Sequence, residues 1–476
     1  MEKLTFDNVV KITGGTLVGE NLETVHFHPS GVSIDSRTLQ KGNLFFALRG
    51  ERFDGHDFAF EALDKGALAI VVSRQWARAN LMGRKKKRVA ILVDDTLKAF
   101  QACAGYYRTL FSLPVVAVTG TNGKTTTKDM VAAVLSQKSR CLQTRGNENN
   151  HIGLPLTLFR LRPDHAIAVV ELGMRARGEI SQLAEICDPH IGLITNVGPA
   201  HIQFFRDVEE IARAKGELLD HLGPTDTAIL NADDHLVMKQ RGRMRGEVIT
   251  FGFSHKADVR TEAIQTTPTG GMTFDLEDGL RIQLRVPGKH MVSNALAAIA
   301  VGEQFDVPRQ RMKEALEAFR PQTMRMELVQ VGGLRILNDA YNANPDSMRA
   351  ALETLQDLQC KGKKIAVLGD MLELGEDGPR SHREIGRRVS QADIALLVAV
   401  GNLSHFIADE AIRFGLSRQK VHHFTMRDGV LEVLKETVEN GDLMLVKGSR
   451  KMGLEEIVSG LQTMTFRSEV ISSGKK

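Results

Sequence analysis

The chain has 476 residues, 42% of them hydrophobic and 25% charged, an ordinary globular balance with material for several buried cores. Its 62 basic residues against 58 acidic ones leave a net charge of +4, too little to argue for nucleic acid as a partner. No apolar stretch approaches the roughly 18 residues needed to span a bilayer. At roughly 100–200 residues per domain, the length suggests about three domains. Cys103, Cys141, Cys187 and Cys360 lie far apart with no Cys-x-x-Cys pair. Neither a zinc ribbon nor a thioredoxin-like site is therefore supported, and a reducing compartment fits. The start, Met1-Glu2-Lys3-Leu4-Thr5-Phe6, lacks the charged-then-apolar pattern of a signal peptide. A cytoplasmic protein is the expectation.

The first third reads as mixed α/β. Leu44-Phe45-Phe46-Ala47-Leu48 and Ala67–Val72 are predicted as short buried strands. A predicted helix from Phe58 to Lys65 ends at Gly66, which suits the left-handed position past a helix. The run Lys85-Lys86-Lys87-Arg88 reads as a solvated loop. Asp94-Asp95-Thr96 supplies caps for a helix to about Tyr107. Leu113-Pro114 marks a boundary. After it, Val115-Val116-Ala117-Val118-Thr119 is an apolar strand of the kind buried in a parallel sheet. Strands at Ile167–Leu172, Ile191–Thr195 and Ala228–Asn231 alternate with helices at Glu179–Ile186 and Val208–Leu222. That alternation predicts a doubly wound sheet. Short strands with Gly-rich turns over Val259–Val286 predict an antiparallel patch. Helices over Met291–Gln304 and Arg309–Phe319 lead to a second boundary near Arg320-Pro321. The remainder alternates again, with strands expected at Leu334–Leu337, Lys364–Leu368, Ile394–Val400 and Leu443–Val446. The expected fold is α/β in three domains, residues 1–113, 114–321 and 322–476.

The strongest chemical signal is Gly120-Thr121-Asn122-Gly123-Lys124-Thr125-Thr126 between a buried strand and a helix, the context of a phosphate loop. Glycines let backbone N–H groups approach phosphate oxygens, and the helix N-terminus favours anions. Lys124 can reach the β/γ-phosphates and Thr125 can offer its hydroxyl to Mg²⁺. Val118 stands where the common pattern has its first glycine. Glu171 ends an apolar strand, where a carboxylate points into the ligand crevice. His201 follows the strand ending at Thr195; by itself it reads as an ordinary surface residue of a loop, and its place after a strand of the phosphate-loop sheet raises it to a candidate. Lys215, among glutamates in a predicted helix, reads as an exposed lysine.

Together these motifs resemble the Mur ligase family, which joins a carboxylate to an amine at the expense of ATP. Thr119 to Thr126 match that family's shortened phosphate loop, and the likeness covers nearly the whole chain. It implies a central ATPase-like domain, a Rossmann-like C-terminal domain and a small N-terminal UDP-binding domain. Asp35-Ser36-Arg37 and the stretches Gly42–Gly50 and Asp54–Phe58 are similar to that UDP-binding domain. The resemblance puts Ser36 and Arg37 at the uridine diphosphate, although Asp35-Ser36 also reads as a turn cap. Asn149 and Asn150, in Gly146–Pro155, resemble residues that meet the muramoyl substrate; Asx turns are the alternative. Glu171 and His201 match magnesium ligands, and Lys215 matches a lysine carried as a carbamate that supports a second Mg²⁺. This reverses the plain reading of that lysine. Asn294, in the run after Gly288-Lys289-His290, resembles the adenine side, and Arg325 an arginine that reaches ATP.

Asp339-Ala340-Tyr341-Asn342-Ala343-Asn344, Gly369–Gly375 and Leu445–Arg450 are similar to the family branch that adds D-alanyl-D-alanine to a UDP-N-acetylmuramoyl tripeptide. The resemblance places Asp339 and Tyr341 at ATP, and Asn342 and Asn344 near the incoming dipeptide. It implies ATP and Mg²⁺ as cofactors and a monomer with catalytic Lys124, Lys215 and His201. Gln203, Met291 and Met324 depart from the family pattern, in the order given, by replacing an acidic residue, an asparagine and a glycine. Three alternatives stand beside this reading. A sister ligase adds a diamino acid, against which the Tyr341–Asn344 motif argues. A folylpolyglutamate-type ligase usually begins close to its phosphate loop, whereas residues 1–113 precede it here. A nucleotide-binding regulator would need no second metal site.

Overall fold

A computed structural model describes residues 1, 4–19, 28–81 and 89–463. The basic run at Lys85-Lys86-Lys87-Arg88 lies outside the described residues. Three sheets follow one another along the chain, a three-domain α/β architecture. The first has five strands in the order Thr16–Val18, Ala90–Val93, Ala69–Ser73, Asn43–Phe46, Gly31–Ser33, parallel except for the first pair. The helix Thr96–Thr109 closes this part. Asp95 caps it, its Oδ1 accepting from the N–H groups of Leu97 at 2.8 Å and Lys98 at 3.0 Å.

The central sheet has nine strands. Six are parallel: Glu247–Gly252, Thr227–Asn231, Ile191–Ile194, Val115–Thr119, Ile167–Glu171 and Cys141–Gln143. Val259–Thr266 joins them in parallel and continues into antiparallel Met272–Leu276 and Arg281–Leu284. Val115–Thr119 is fully buried, as its unbroken apolar run requires. It lies between Ile191–Ile194 and Ile167–Glu171, where the winding of the sheet reverses. Loops leaving the carboxyl ends of three adjacent strands therefore converge there, the position at which open α/β sheets bind ligands. The helix Lys124–Leu135 covers one face and packs on Lys289–Gln304, whose Ala295, Ala297, Ala298 and Ala300 are fully buried and permit close approach.

The C-terminal sheet has six strands in the order Glu327–Val331, Leu334–Asp339, Leu443–Lys447, Lys364–Gly369, Leu396–Val400, Val421–Phe424. Only the first pair is antiparallel. Among the described residues, no helix is long and apolar enough to cross a membrane. The strands Thr16–Val18, Gly31–Ser33 and Cys141–Gln143 are too short to show an alternating pattern in sequence. Glu247–Gly252 and Glu327–Val331 are half-exposed at one end or along most of their length, and so carry polar residues where apolar ones would signal a strand.

Arg108, 5% exposed, fastens the first domain to the second. Its Nε donates to the Cys187 carbonyl at 2.9 Å, and its Nη2 to the carbonyls of Asp188 at 3.1 Å and Leu113 at 3.3 Å. These acceptors lie at the domain boundary and at the end of helix Glu179–Cys187. Arg108→Leu removes every donor and leaves buried carbonyls unpaired, at a cost of about 3 kcal/mol. Its first thermal unfolding transition should fall by several degrees relative to wild type in calorimetry; an unchanged midpoint contradicts this role.

Candidate active site

The phosphate loop is laced to the loop of the neighbouring strand. Thr121 N–H donates to the Asn196 carbonyl at 2.8 Å, and Asn122 N–H to Asn196 Oδ1 at 2.8 Å. The Thr195 hydroxyl and Asn196 Nδ2 both donate to the Asn122 carbonyl, at 2.7 and 3.0 Å. Two glycines permit this closeness. A Cβ on Gly120 (φ +147°) would lie 1.9 Å from Thr195 Oγ1, and one on Gly123 (φ +78°) 2.7 Å from Asn294 Oδ1. Gly123 is also the N-cap of Lys124–Leu135 and offers no side-chain acceptor. The first N–H groups of that helix thus face the crevice with no side-chain cap, a setting made for phosphate oxygens.

Two lysines meet behind the loop. Lys124 Nζ donates to the carbonyls of Gly120 at 2.7 Å and Thr121 at 2.8 Å, and Lys215 Nζ donates to the same Gly120 carbonyl at 2.8 Å. Lys215 is buried, 4% exposed, unlike the exposed helical lysine its neighbours in sequence suggest. Burial drives its pKa well below the ordinary lysine value, and the Lys124 ammonium pushes the same way. Burial lowers the pKa of Lys124 too, with Glu171 opposing and Arg325 adding.

The Glu171 carboxylate, 1% exposed, closes the other side. Its Oε2 accepts from the Thr125 hydroxyl and its Oε1 from Asn149 Nδ2, both at 2.7 Å. Thr144 Oγ1 accepts from its backbone N–H at 3.0 Å. A buried carboxylate touching a phosphate-loop hydroxyl supplies the hard oxygen donors that suit Mg²⁺, with phosphate oxygens and water completing the shell. Among the described residues no three His, Cys, Asp or Glu side chains form a ready cage. His201 sits at φ +57° with its Nδ1 against the Glu373 carboxylate of the C-terminal domain. Burial lowers its pKa, and Glu373 opposes that.

The C-terminal domain reaches the loop directly. Asn344 Nδ2 donates to Asn122 Oδ1 at 2.7 Å, and Asn122 Nδ2 to Asn344 Oδ1 at 3.3 Å. Asn344 also caps the helix Pro345–Asp357. A Cβ on Gly198 would lie 1.8 Å from Asp346 Oδ2. The Arg325 guanidinium stacks 3.8 Å from the centre of the Tyr341 ring, and its Nε is buried without a partner. Met324 (φ +64°) and Met326 (φ +54°) flank it in the left-handed region; Met324 thus holds a conformation that a glycine adopts without strain. Asp339 accepts from Lys447 Nζ at 2.5 Å and from Met326 N–H at 3.0 Å. Asn342 is exposed, and its carbonyl accepts from Lys447 at 2.9 Å. Asp370 caps a turn, accepting from the N–H groups of Leu403 and Ser404 at 3.0 and 2.7 Å.

These contacts join Gly120, Thr121, Asn122, Gly123, Lys124, Thr125, Asn149, Glu171, Lys215, Asn294 and Asn344. Thr126 is buried beside them, and His201 lies close enough for both lysines to depress its pKa. Asp339, Tyr341 and Asn342 make their contacts with Lys447, Met326 and Arg325 instead, and the side chains of Ser36, Arg37 and Asn150 are engaged elsewhere. The Ser36 hydroxyl is buried and donates to Glu61 Oε1 at 3.2 Å. Arg37 is exposed and paired with Asp35 at 2.7 Å, which holds that carboxyl down at about 2. Asn150 Oδ1 accepts from the N–H groups of Ile152 and Gly153, an Asx turn. Gln203 packs beneath Gly375, and Met291 Sδ lies 3.8 Å from Asn294 Nδ2. Sequence reasoning passed over Thr144, Thr195, Asn196 and Glu373. Thr195 and Asn196 carried a signal, since they follow the strand adjacent to the loop.

His290 is half-buried near the Asp339–Lys447 pair, and burial lowers its pKa to about 4. The folded protein holds it neutral, whereas the unfolded chain protonates it near the ordinary 6.5. This contribution is present above pH 6.5 and is lost as pH falls toward 4. Discounting for partial exposure, the loss is about 1–2 kcal/mol. Urea midpoints of His290→Gln should therefore fall less steeply than wild type across that window; parallel curves contradict it.

Comparison with known proteins places these features in one family. Models of the Mur ligase family catalytic domain, the Mur ligase middle domain, and the Mur ligase glutamate ligase domain match residues 28–108, 118–302 and 324–450. The chain is 39% identical over 464 residues to the UDP-N-acetylmuramoyl-tripeptide–D-alanyl-D-alanine ligase of Bacillus subtilis, covering 97% of this chain and 99% of the relative. A crystal structure of MurF from Acinetobacter baumannii superposes with a TM-score of 0.85 at 29% identity, covering 97% of this chain and 99% of that one. MurF ligase from Thermotoga maritima, solved in complex with ADP, superposes with a TM-score of 0.80 at 27% identity, covering 91% and 97%.

Proposed function

The chain belongs to the Mur ligase family, and from that premise we propose that it ligates D-alanyl-D-alanine to UDP-N-acetylmuramoyl tripeptide, consuming ATP and releasing ADP and phosphate. The observation that carries this reading is the end-to-end match, at 39% identity, to a ligase bearing that name. The geometry supports the chemistry. The proposal includes a monomeric, cytoplasmic enzyme with UDP-substrate, ATP and dipeptide functions in residues 1–113, 114–321 and 322–476.

A carboxylate resists an amine in water because its oxygen is a poor leaving group. The ligase answers with an acyl phosphate. The terminal carboxylate of the tripeptide attacks the γ-phosphorus of ATP, the new C–O–P link forms, and ADP departs. The dipeptide amine then attacks the carbonyl carbon. The tetrahedral oxyanion collapses to an amide, inorganic phosphate leaves, and the amine loses a proton. Lys124 releases the loop carbonyls and meets the transferring phosphoryl group. The uncapped N–H groups after Gly123 hold phosphate oxygens, and Arg325 with Asp339 and Tyr341 faces the nucleotide from the hinge. Thr125, Glu171 and His201 would hold Mg²⁺, which neutralises phosphate charge when bound. Burial disfavours the charged form of Lys215, which favours the free amine that can add to CO₂, giving a carbamate and a proton. The resulting anion would serve a second Mg²⁺. Ser36, Arg37, Asn149 and Asn150 are assigned to the UDP-linked substrate, and Asn342 and Asn344 to the dipeptide end. Water must be excluded, since an acyl phosphate hydrolyses.

Phosphate release with ATP, Mg²⁺ and UDP-muramoyl tripeptide should depend on added D-alanyl-D-alanine and give a pentapeptide product by mass. Release that requires a free diamino acid and UDP-muramoyl dipeptide instead would make it the sister ligase. Lys124→Ala should lower kcat by at least about 10²–10³-fold, the scale of losing one preorganised charge donor, with UDP-substrate affinity unchanged. Full turnover in that variant would refute the assignment.

A further inference from the structure

The histidine of the candidate metal site and a carboxylate of another domain hold each other. His201 belongs to the loop after strand Ile191–Ile194. Glu373 belongs to the loop after strand Lys364–Gly369 in the C-terminal domain. Both adopt left-handed backbone, φ +57° and +61°, although both carry a Cβ. Such backbone is unfavourable for residues with a Cβ and persists where the surroundings impose it. Its effect is to turn the two side chains toward each other, with the Glu373 carboxylate on His201 Nδ1. The neighbouring backbone reinforces the contact. Gln203 N–H points to the Glu373 carbonyl at 3.5 Å, and a Cβ on Gly375 would lie 3.1 Å from Gln203 Cβ. Both side chains are about one-third exposed, at 31% each.

A carboxylate accepting from Nδ1–H fixes which imidazole nitrogen carries the proton and frees Nε2 as a lone-pair donor. We infer that Glu373 is a positioning residue for His201, holding the ring in the Nδ1–H tautomer with Nε2 presented to a divalent cation. This rests on the assignment of His201 to the metal site. Because the two residues come from different domains, the histidine is oriented only while the C-terminal domain is docked on the central one. Cation binding and domain docking then favour each other by the same factor. Glu373 needs to touch neither nucleotide nor substrate to act in this way.

The test uses the full chain and two variants. Glu373→Ala keeps a Cβ, so the backbone strain at 373 is unchanged, and removes the acceptor. Glu373→Gln keeps an amide oxygen that accepts from Nδ1–H. Nitrogen-15 NMR of labelled histidines, without metal or nucleotide, reads the His201 tautomer. Titration of Mn²⁺ in the presence of a non-hydrolysable ATP analogue, followed by electron paramagnetic resonance, reads cation affinity. Expected for Glu373→Ala are a mixed tautomer population and Mn²⁺ binding weakened by about 10–100-fold, the usual effect of losing an outer-shell partner. Glu373→Gln should restore the single tautomer and most of the affinity. A single Nδ1–H tautomer and unchanged Mn²⁺ affinity in Glu373→Ala would overturn the inference. Wild-type protein inactive as a ligase would refute the function proposed above, while the tautomer measurement would still decide the role of Glu373.

Discussion

Two amines on one carbonyl oxygen set the terms for the rest of this site. Lys124 and Lys215 both donate to the Gly120 carbonyl, at 2.7 and 2.8 Å. Two ammonium ions this close and this buried repel strongly unless an anion lies between them. Glu171 is near enough to favour a charge on Lys124. Lys215 has no such support, and only burial and Lys124 act on it, both against its charge. The arrangement thus gives the two lysines different surroundings: Glu171 offsets part of the burial that lowers the pKa of Lys124, while burial and the Lys124 charge act together against a charge on Lys215. Gly120 makes this possible, because any side chain there would collide with Thr195.

The second constraint is that this loop is built from two domains. Asn122 pairs with Asn344, Gly198 gives way to Asp346, and His201 meets Glu373. A neutral amide pair contributes about 1 kcal/mol per hydrogen bond, so these polar contacts select a docked arrangement without locking it. The chain enters the C-terminal domain through Met324-Arg325-Met326, with left-handed backbone on both sides of the arginine. Arg325 keeps one buried N–H unpaired above Tyr341. A buried donor without a partner calls for an explanation, and an acceptor on a bound ligand would supply one. On the other side of the central sheet the buried Arg108 ties the helix Thr96–Thr109 to the carbonyls of Cys187 and Leu113.

How much of this the sequence disclosed follows from the range of each interaction. Val115–Thr119 and the helix from Lys124 were legible because a continuous apolar run and a Gly-Lys-Thr junction are local signals. The helix expected over Met291–Gln304 was legible too, and begins two residues earlier at Lys289. Strands of three residues such as Cys141–Gln143 left no pattern to find. The pairing of Asn122 with Asn344 spans 222 positions, and neither residue carries a mark of the other. Lys215 shows the limit most clearly. Its neighbours Arg213 and Glu217 suggest a solvated helix face, yet the loop carbonyl lies over it. Only family resemblance pointed past that reading. Asn344 is a similar lesson, since its side chain bonds the phosphate loop and caps its own helix, contacts its motif did not disclose. The burial of Ser36 against Glu61 was equally invisible, because the partner lies on a later helix.

The central claim is that this site activates a carboxylate by phosphorylating it. Tripeptide substrate carrying ¹⁸O in its terminal carboxylate tests this directly. The account requires one labelled oxygen to pass into the inorganic phosphate released during ligation, because the carboxylate oxygen becomes the bridge of the acyl phosphate and leaves with phosphorus. Mass analysis of that phosphate should show the label in step with product. Unlabelled phosphate accompanying normal amide formation would mean that ATP is cleaved without joining the carboxylate, and the account would fail.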